Sequence, residues 1–278
     1  MSVYALAVHS SLGFKKKDYF FRYKDREFRY IPGWKDNETD KIITIIRNGS
    51  DSEVNGVYRL AAEFLSVISF QHDCRVILSS GMISWGSGFD LATFSGGYIE
   101  RRAIPVSEVI DEFYYVPPVR NEAQSNVVRL YREALSSNNI YLSILFYWHI
   151  LGYPETDNQA AIRFVDHRLN HPRYVGDSID RIVSDPIMLK SKQDFISFGY
   201  YVDKAIRHSI AHFVRNPTHK EKGFHLDDFN QIRHLNDICC ILKQASRARI
   251  EGEFELNEPH DLKIFAYTRH SDTRNISS

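Results

Sequence analysis

Two consecutive prolines, Pro117 and Pro118, limit what this chain can fold into more than any other feature. Proline disfavours helix in the residue before it, so the backbone runs extended there. The hydrophobic pattern also changes on either side. Before the prolines, short apolar runs of strand length are broken by turn residues; after them, apolar residues recur at helical spacing. The expected fold class is α+β. A mixed N-terminal domain covers 1–117, a helical domain 118–252, and a tail 253–278 with a short strand at Leu262 to Tyr267.

Within the first domain, Val3 to Val8 and Ile42 to Ile46 read as apolar strands. Asp18 to Tyr23 and Glu27 to Ile31 read as a hairpin turning through Lys24-Asp25-Arg26. Ser50-x-x-Glu53 has capping-box spacing. Val54, Val57, Tyr58, Ala61, Phe64, Leu65 and Ile68 then repeat at helical period. Arg75 to Leu78 and Met82 to Trp85 read as two short strands around Ser79-Ser80-Gly81. The glycines at 86, 88, 96 and 97 mark loops, with neither a P-loop nor a dinucleotide fingerprint. Ser87 lacks the Gly-x-Ser-x-Gly of a hydrolase elbow.

The second domain is expected to hold helices at about 121–136, 139–151, 158–170, 193–214 and 228–250. Gly152-Tyr153-Pro154, Pro172 and Asn216-Pro217 end the second, third and fourth of them. The fourth carries Arg207-His208-Ser209-Ile210-Ala211-His212. On an α-helix, His208 falls about 100° and His212 about 140° from Arg207, so all three project from one side. A permanently charged guanidinium beside imidazoles that titrate near neutrality suits phosphodiester cleavage. Arginine holds and neutralises the phosphate while histidine moves protons. A plainer account also covers the residues: Arg207 pairs on the surface with Asp203 one turn earlier, and His212 sits near a helix end where a cation suits the dipole.

Arg207-His208-x-x-x-His212 resembles the motif of the HEPN superfamily, in which arginine, a polar residue, three further residues and histidine follow one another. The stretch Leu130-Tyr131-Arg132-Glu133-Ala134, followed by Ser137 to Tyr147, resembles more narrowly the MauJ-like proteins. Those usually continue with Lys-Ile-Leu-Glu, whereas this chain has Trp148-His149-Ile150-Leu151-Gly152, so the acidic residue is missing. The resemblance covers about residues 120–250. It implies a helical bundle, a homodimer with motif helices paired across a two-fold axis, and a composite cleft built from both copies. It also implies metal-independent RNA cleavage with Arg207, His212 and His208 as catalytic residues. No cofactor and no metal are implied; a toxin or defence role, with an antitoxin or other regulatory partner, is in keeping with it.

Lys and Arg total 35 against 35 Asp and Glu, so contact with nucleic acid must come from a local patch, not from a bulk field. One candidate is Phe14 to Tyr30, where Lys15, Lys16, Lys17 and Arg22 interleave with aromatics and would bind RNA. Alternation across a hairpin is the simpler account of it. His167/His171 and His208/His212 each have metal-ligand spacing, but neither pair brings the glutamate of a metalloprotease motif. Three cysteines, with Cys239 and Cys240 adjacent, make no disulfide framework. The apolar run Ile140 to Leu151 is too short to span a bilayer. Together these point to a cytoplasmic protein with no membrane partner. Three functional readings remain: ribonuclease, non-catalytic RNA- or ligand-binding regulator, and metal-dependent hydrolase using the histidine pairs.

Overall fold

The computed structural model describes residues 2–15, 18–33, 38–85, 104–110, 116–155, 158–169, 197–208, 210, 228–254 and 256. Of residues 80–85 and 168–169 only the backbone is described. The chain divides between Pro118 and Val119 into two compact units. The first is built on an antiparallel sheet and the second is helical, giving an α+β protein.

The sheet contains β1 (Ser2–Ser10), β3 (Tyr19–Tyr23), β4 (Arg26–Ile31), β5 (Asp40–Ile46) and β6 (Val76–Trp85), in the order β3-β4-β5-β1-β6. Strand β1, paired on both edges by β5 and β6, is apolar on both faces, with Val3, Leu6 and Val8 all buried. Helix α1 (Asp51–His72) connects β5 to β6. Tyr19, Phe21 and Tyr23 alternate onto one face of β3. Phe21 stacks on Phe64 of α1 at 4.3 Å between centroids, and the Tyr23 hydroxyl donates to Glu63 at 2.9 Å. Two three-residue strands not expected from the sequence, β2 (Leu12–Phe14) and β7 (Glu108–Ile110), pair in parallel.

The two short strands expected on either side of Ser79-Ser80-Gly81 are one strand, β6. Leu6 pairs with Gly81 and Val8 with Leu78, so Ser79 and Ser80 lie opposite Ala7 alone. A β-bulge absorbs the extra residue and pairing resumes beyond it. The small polar residues that suggested a break mark that bulge.

The start of α1 follows its sequence signal and extends it. The Ser50 hydroxyl accepts the Glu53 N–H, and the Glu53 carboxylate accepts three backbone N–H groups, from Arg47, Asn48 and Gly49, at 2.8–3.1 Å. Those bonds favour the ionised form and hold its pKa below the ordinary glutamate value.

The helical unit contains α2 (Glu122–Ser136), α3 (Ile140–Gly152), α4 (Asn158–Leu169), α5 (Phe198–Tyr201) and α6 (Phe229–Glu253). Asn121, Asn139, Ser197 and Asp228 cap α2, α3, α5 and α6 by accepting backbone N–H groups of the first turn. Helix α3 packs against both α2 and α6. Ser143 Oγ donates to the Ala134 carbonyl, Ser246 Oγ donates to the Tyr147 carbonyl, and Tyr131 meets Tyr147 edge-on at 5.6 Å. Val127, Ile144, Leu151, Leu235 and Leu242 fill the space between with no exposed surface. The short strand read at Leu262 to Tyr267 lies outside the described residues.

Candidate functional site

The motif segment departs from the single regular helix expected over 193–214. Its described part is α-helical only from Phe198 to Tyr201; Val202–Arg207 then adopt π-helical hydrogen bonding. The His208 N–H bonds to the Asp203 carbonyl five residues back. A π-type turn takes one more residue than an α turn. The α-helical 100° step therefore does not describe how residues 202–207 project.

This segment is anchored at its start. Gly199 donates its N–H to Asp166 Oδ1 of α4 at 2.7 Å. A Cβ on Gly199 would meet the Ile162 carbonyl oxygen at 2.6 Å, so only glycine permits this approach. Two residues on, the buried Tyr201 hydroxyl and His234 Nε2 of α6 share a hydrogen bond of 2.9 Å. Val202 and Ile206 have no exposed surface and hold the π-helical turn on the core.

Arg207 is partly solvated, with 25% of its side chain exposed, and its Nε–H donates to Asp203 Oδ1 at 2.8 Å. The plainer sequence account expects this pair, but on the surface; Asp203 is instead buried, only 1% exposed. Its second oxygen, Oδ2, lies 3.3 Å from Lys204 Nζ. Lys204 is half exposed, and its ammonium lies over the Tyr200 ring at 5.7 Å from the centroid. His208 is exposed. Tyr200, Lys204, Arg207 and His208 thus form one short polar stretch beneath which a carboxylate is buried. The third member of the expected constellation, His212, lies outside the described residues.

The remaining candidates fall elsewhere. Lys15 is exposed just after β2, where its backbone N–H donates to the Ile110 carbonyl. Lys16 and Lys17 lie outside the described residues. Arg22 is exposed on β3 in register with Glu27 of β4, an arrangement that opposite charges stabilise. On the same face Arg29 pairs with Asp18 and lies over the Phe20 ring. His167 is exposed on α4, and His171 lies outside the described residues. Among the described residues no three His, Cys, Asp or Glu side chains gather so as to hold a metal ion. Nor is any helix among them long and apolar enough to cross a membrane.

Two residues of the site carry no signal of their own in the sequence. Lys204 and Tyr200 are ordinary helical surface residues by type. Asp203 is visible as a partner four residues before Arg207, but its burial depends on tertiary packing.

No curated protein and no solved structure matches the chain. Residues 127–251, running from α2 into the last turns of α6, match the family model described as methylamine utilization protein MauJ, so the helical unit carries a MauJ-family domain.

Proposed function

We propose that the helical unit is a HEPN-type, metal-independent endoribonuclease whose cleft is assembled from two copies of the chain. The observation that carries this reading is the five-residue spacing of Arg207 and His212 in the sequence, with Arg207 ending a π-helical turn and its Nε–H bound by Asp203. Among the described residues only Asp203 binds that guanidinium, through Nε, and the Nη groups are then open to an anion. The matched family's description refers to methylamine utilization and names no reaction. The chemistry rests on the side chains.

In the proposed reaction the ribose 2′-hydroxyl attacks the adjacent phosphorus. The 2′-O–P bond forms and the P–O5′ bond breaks, leaving a 2′,3′-cyclic phosphate and a 5′-hydroxyl. One His212 takes the proton from the 2′-hydroxyl, and its copy across the two-fold axis gives one to the departing oxygen. Arg207 stabilises the charge that develops on the phosphorane. His208 positions a phosphate or shares the proton transfers, and the N-terminal unit selects the RNA or senses a ligand.

The buried carboxylate decides which variants test this. Arg207→Ala removes one of the two cations that compensate the buried Asp203 and so disturbs the fold of the turn as well as its charge. Arg207→Lys keeps the charge but loses the planar fork. Arg207→Lys and His212→Ala are each expected to slow RNA cleavage at least about 100-fold, with a smaller loss for His208→Ala. EDTA is expected to have no effect. RNA bound without cleavage would instead favour the regulatory reading, and EDTA inhibition reversed by added zinc would favour the hydrolase.

A further inference from the structure

We infer that Asp203 is a positioning residue: its buried carboxylate fixes Arg207 through Oδ1 and Lys204 through Oδ2, presenting two cations side by side to one phosphodiester. This rests on the ribonuclease reading and deepens it. An ion pair that served the helix alone would lie in solvent, where such pairs contribute little. Asp203 is 1% exposed, and Val202 just before it and Ile206 three residues after it are wholly buried. Burying a carboxylate is costly, and an apolar side chain of similar volume is often as stable or more so. What the carboxylate supplies that an apolar residue cannot is direction. It binds the Nε edge of the guanidinium and, among the described residues, takes neither Nη group, the edge that would face substrate.

The backbone reinforces that direction. The His208 N–H closes onto the Asp203 carbonyl, so a single π-type turn contains Asp203, Lys204 and Arg207 and ends on His208. Turns of this kind often occur at functional sites. Lys204 is limited from two sides, by Asp203 Oδ2 and by the Tyr200 ring. Its charge, on a side chain half exposed, is therefore tied to the same carboxylate as that of Arg207.

A double-mutant cycle tests the role. Asp203→Asn keeps the size of the side chain and one acceptor for Arg207, but loses the charge and offers Lys204 an amide. Expected is a fall in kcat of about tenfold with KM nearly unchanged, and no further loss when Asp203→Asn is added to Arg207→Lys. Losses that multiply, or no loss, would overturn the inference. A carboxylate that merely supports the fold would give multiplied losses. If Asp203→Asn does not fold, Asp203→Glu takes its place; the charge remains, the guanidinium is displaced by one methylene, and the same pattern is expected.

Should the wild type cleave no RNA, the ribonuclease reading fails separately. The cycle is then read as binding of a short 2′-deoxy oligonucleotide in low salt. A loss with Asp203→Asn that vanishes in the Arg207→Lys background upholds the positioning role. Multiplied losses, no loss, or no binding by the wild type overturns it.

Discussion

Arg207 and Asp203 show how much one burial changes the meaning of a spacing. Four residues apart on a helix, they read from sequence as an ordinary surface pair. Placed with the carboxylate under the surface and the guanidinium at it, the same pair becomes a charged group with a fixed orientation. The spacing was legible because it is local; the burial was not, because it is made by elements far away in the chain. The cysteines were legible in the same local sense. Cys74, Cys239 and Cys240 are all free thiols. Burial pushes the Cys74 thiol up to about 12; burial, with Cys240 beside it, does the same for Cys239. Cys240 is exposed. Since only the thiolate attacks, a disulfide reagent at mildly alkaline pH should modify Cys240 quickly and the other two only after unfolding. Three thiols reacting at one rate in the native protein would contradict the placement of these side chains.

Elements were legible wherever a local rule fixes them. The hairpin β3–β4 turns at Lys24-Asp25, with Lys24 at φ 54°, and α1 begins where the Ser50–Glu53 spacing places it. The parallel pairing of β2 with β7 was not legible: it joins residues nearly one hundred positions apart, as in the Ser107 hydroxyl donating to the Ser11 carbonyl. The bulge in β6 and the π-helical turn were missed for a related reason. Each inserts one residue into a regular pattern, and sequence periodicity averages over such steps. Two predictions belong here. Gly199→Ala forces a Cβ against the Ile162 carbonyl oxygen and should destabilise the helical unit by about 1–3 kcal/mol in urea unfolding. Wild-type stability in that variant would mean that α4 and α5 are not so close. Glu53→Gln should cost about 1 kcal/mol at neutral pH, as lost caps do. The Glu53 pKa is lowered on folding, so its contribution is present above the unfolded value of about 4.3 and is lost as pH falls through the folded value. The difference between wild type and Glu53→Gln should therefore narrow in acid; a difference that grows there would reverse the sign.

For the whole molecule, the α+β class could be read from the sequence. The antiparallel sheet of the first unit and the helices of the second follow from period-two and period-3.6 patterning. Assembly is a different matter, because one chain holds no direct record of its partner. The proposed cleft needs two copies, so sedimentation at micromolar concentration should show a dimer, and removing residues 1–118 should leave that dimer intact. A monomer across that range would leave each Arg207 and His212 without the opposite copy and would remove the composite site.

The central claim is that this chain cleaves RNA through the ribose 2′-hydroxyl without a metal. Its most direct test is single-turnover cleavage, in EDTA, of an end-labelled RNA and of the same strand carrying one 2′-deoxy nucleotide at the principal cut. The account predicts a 2′,3′-cyclic phosphate end on the all-ribose strand and loss of that cut alone on the substituted one. Cleavage that persists at the 2′-deoxy position, or that stops in EDTA, would contradict it.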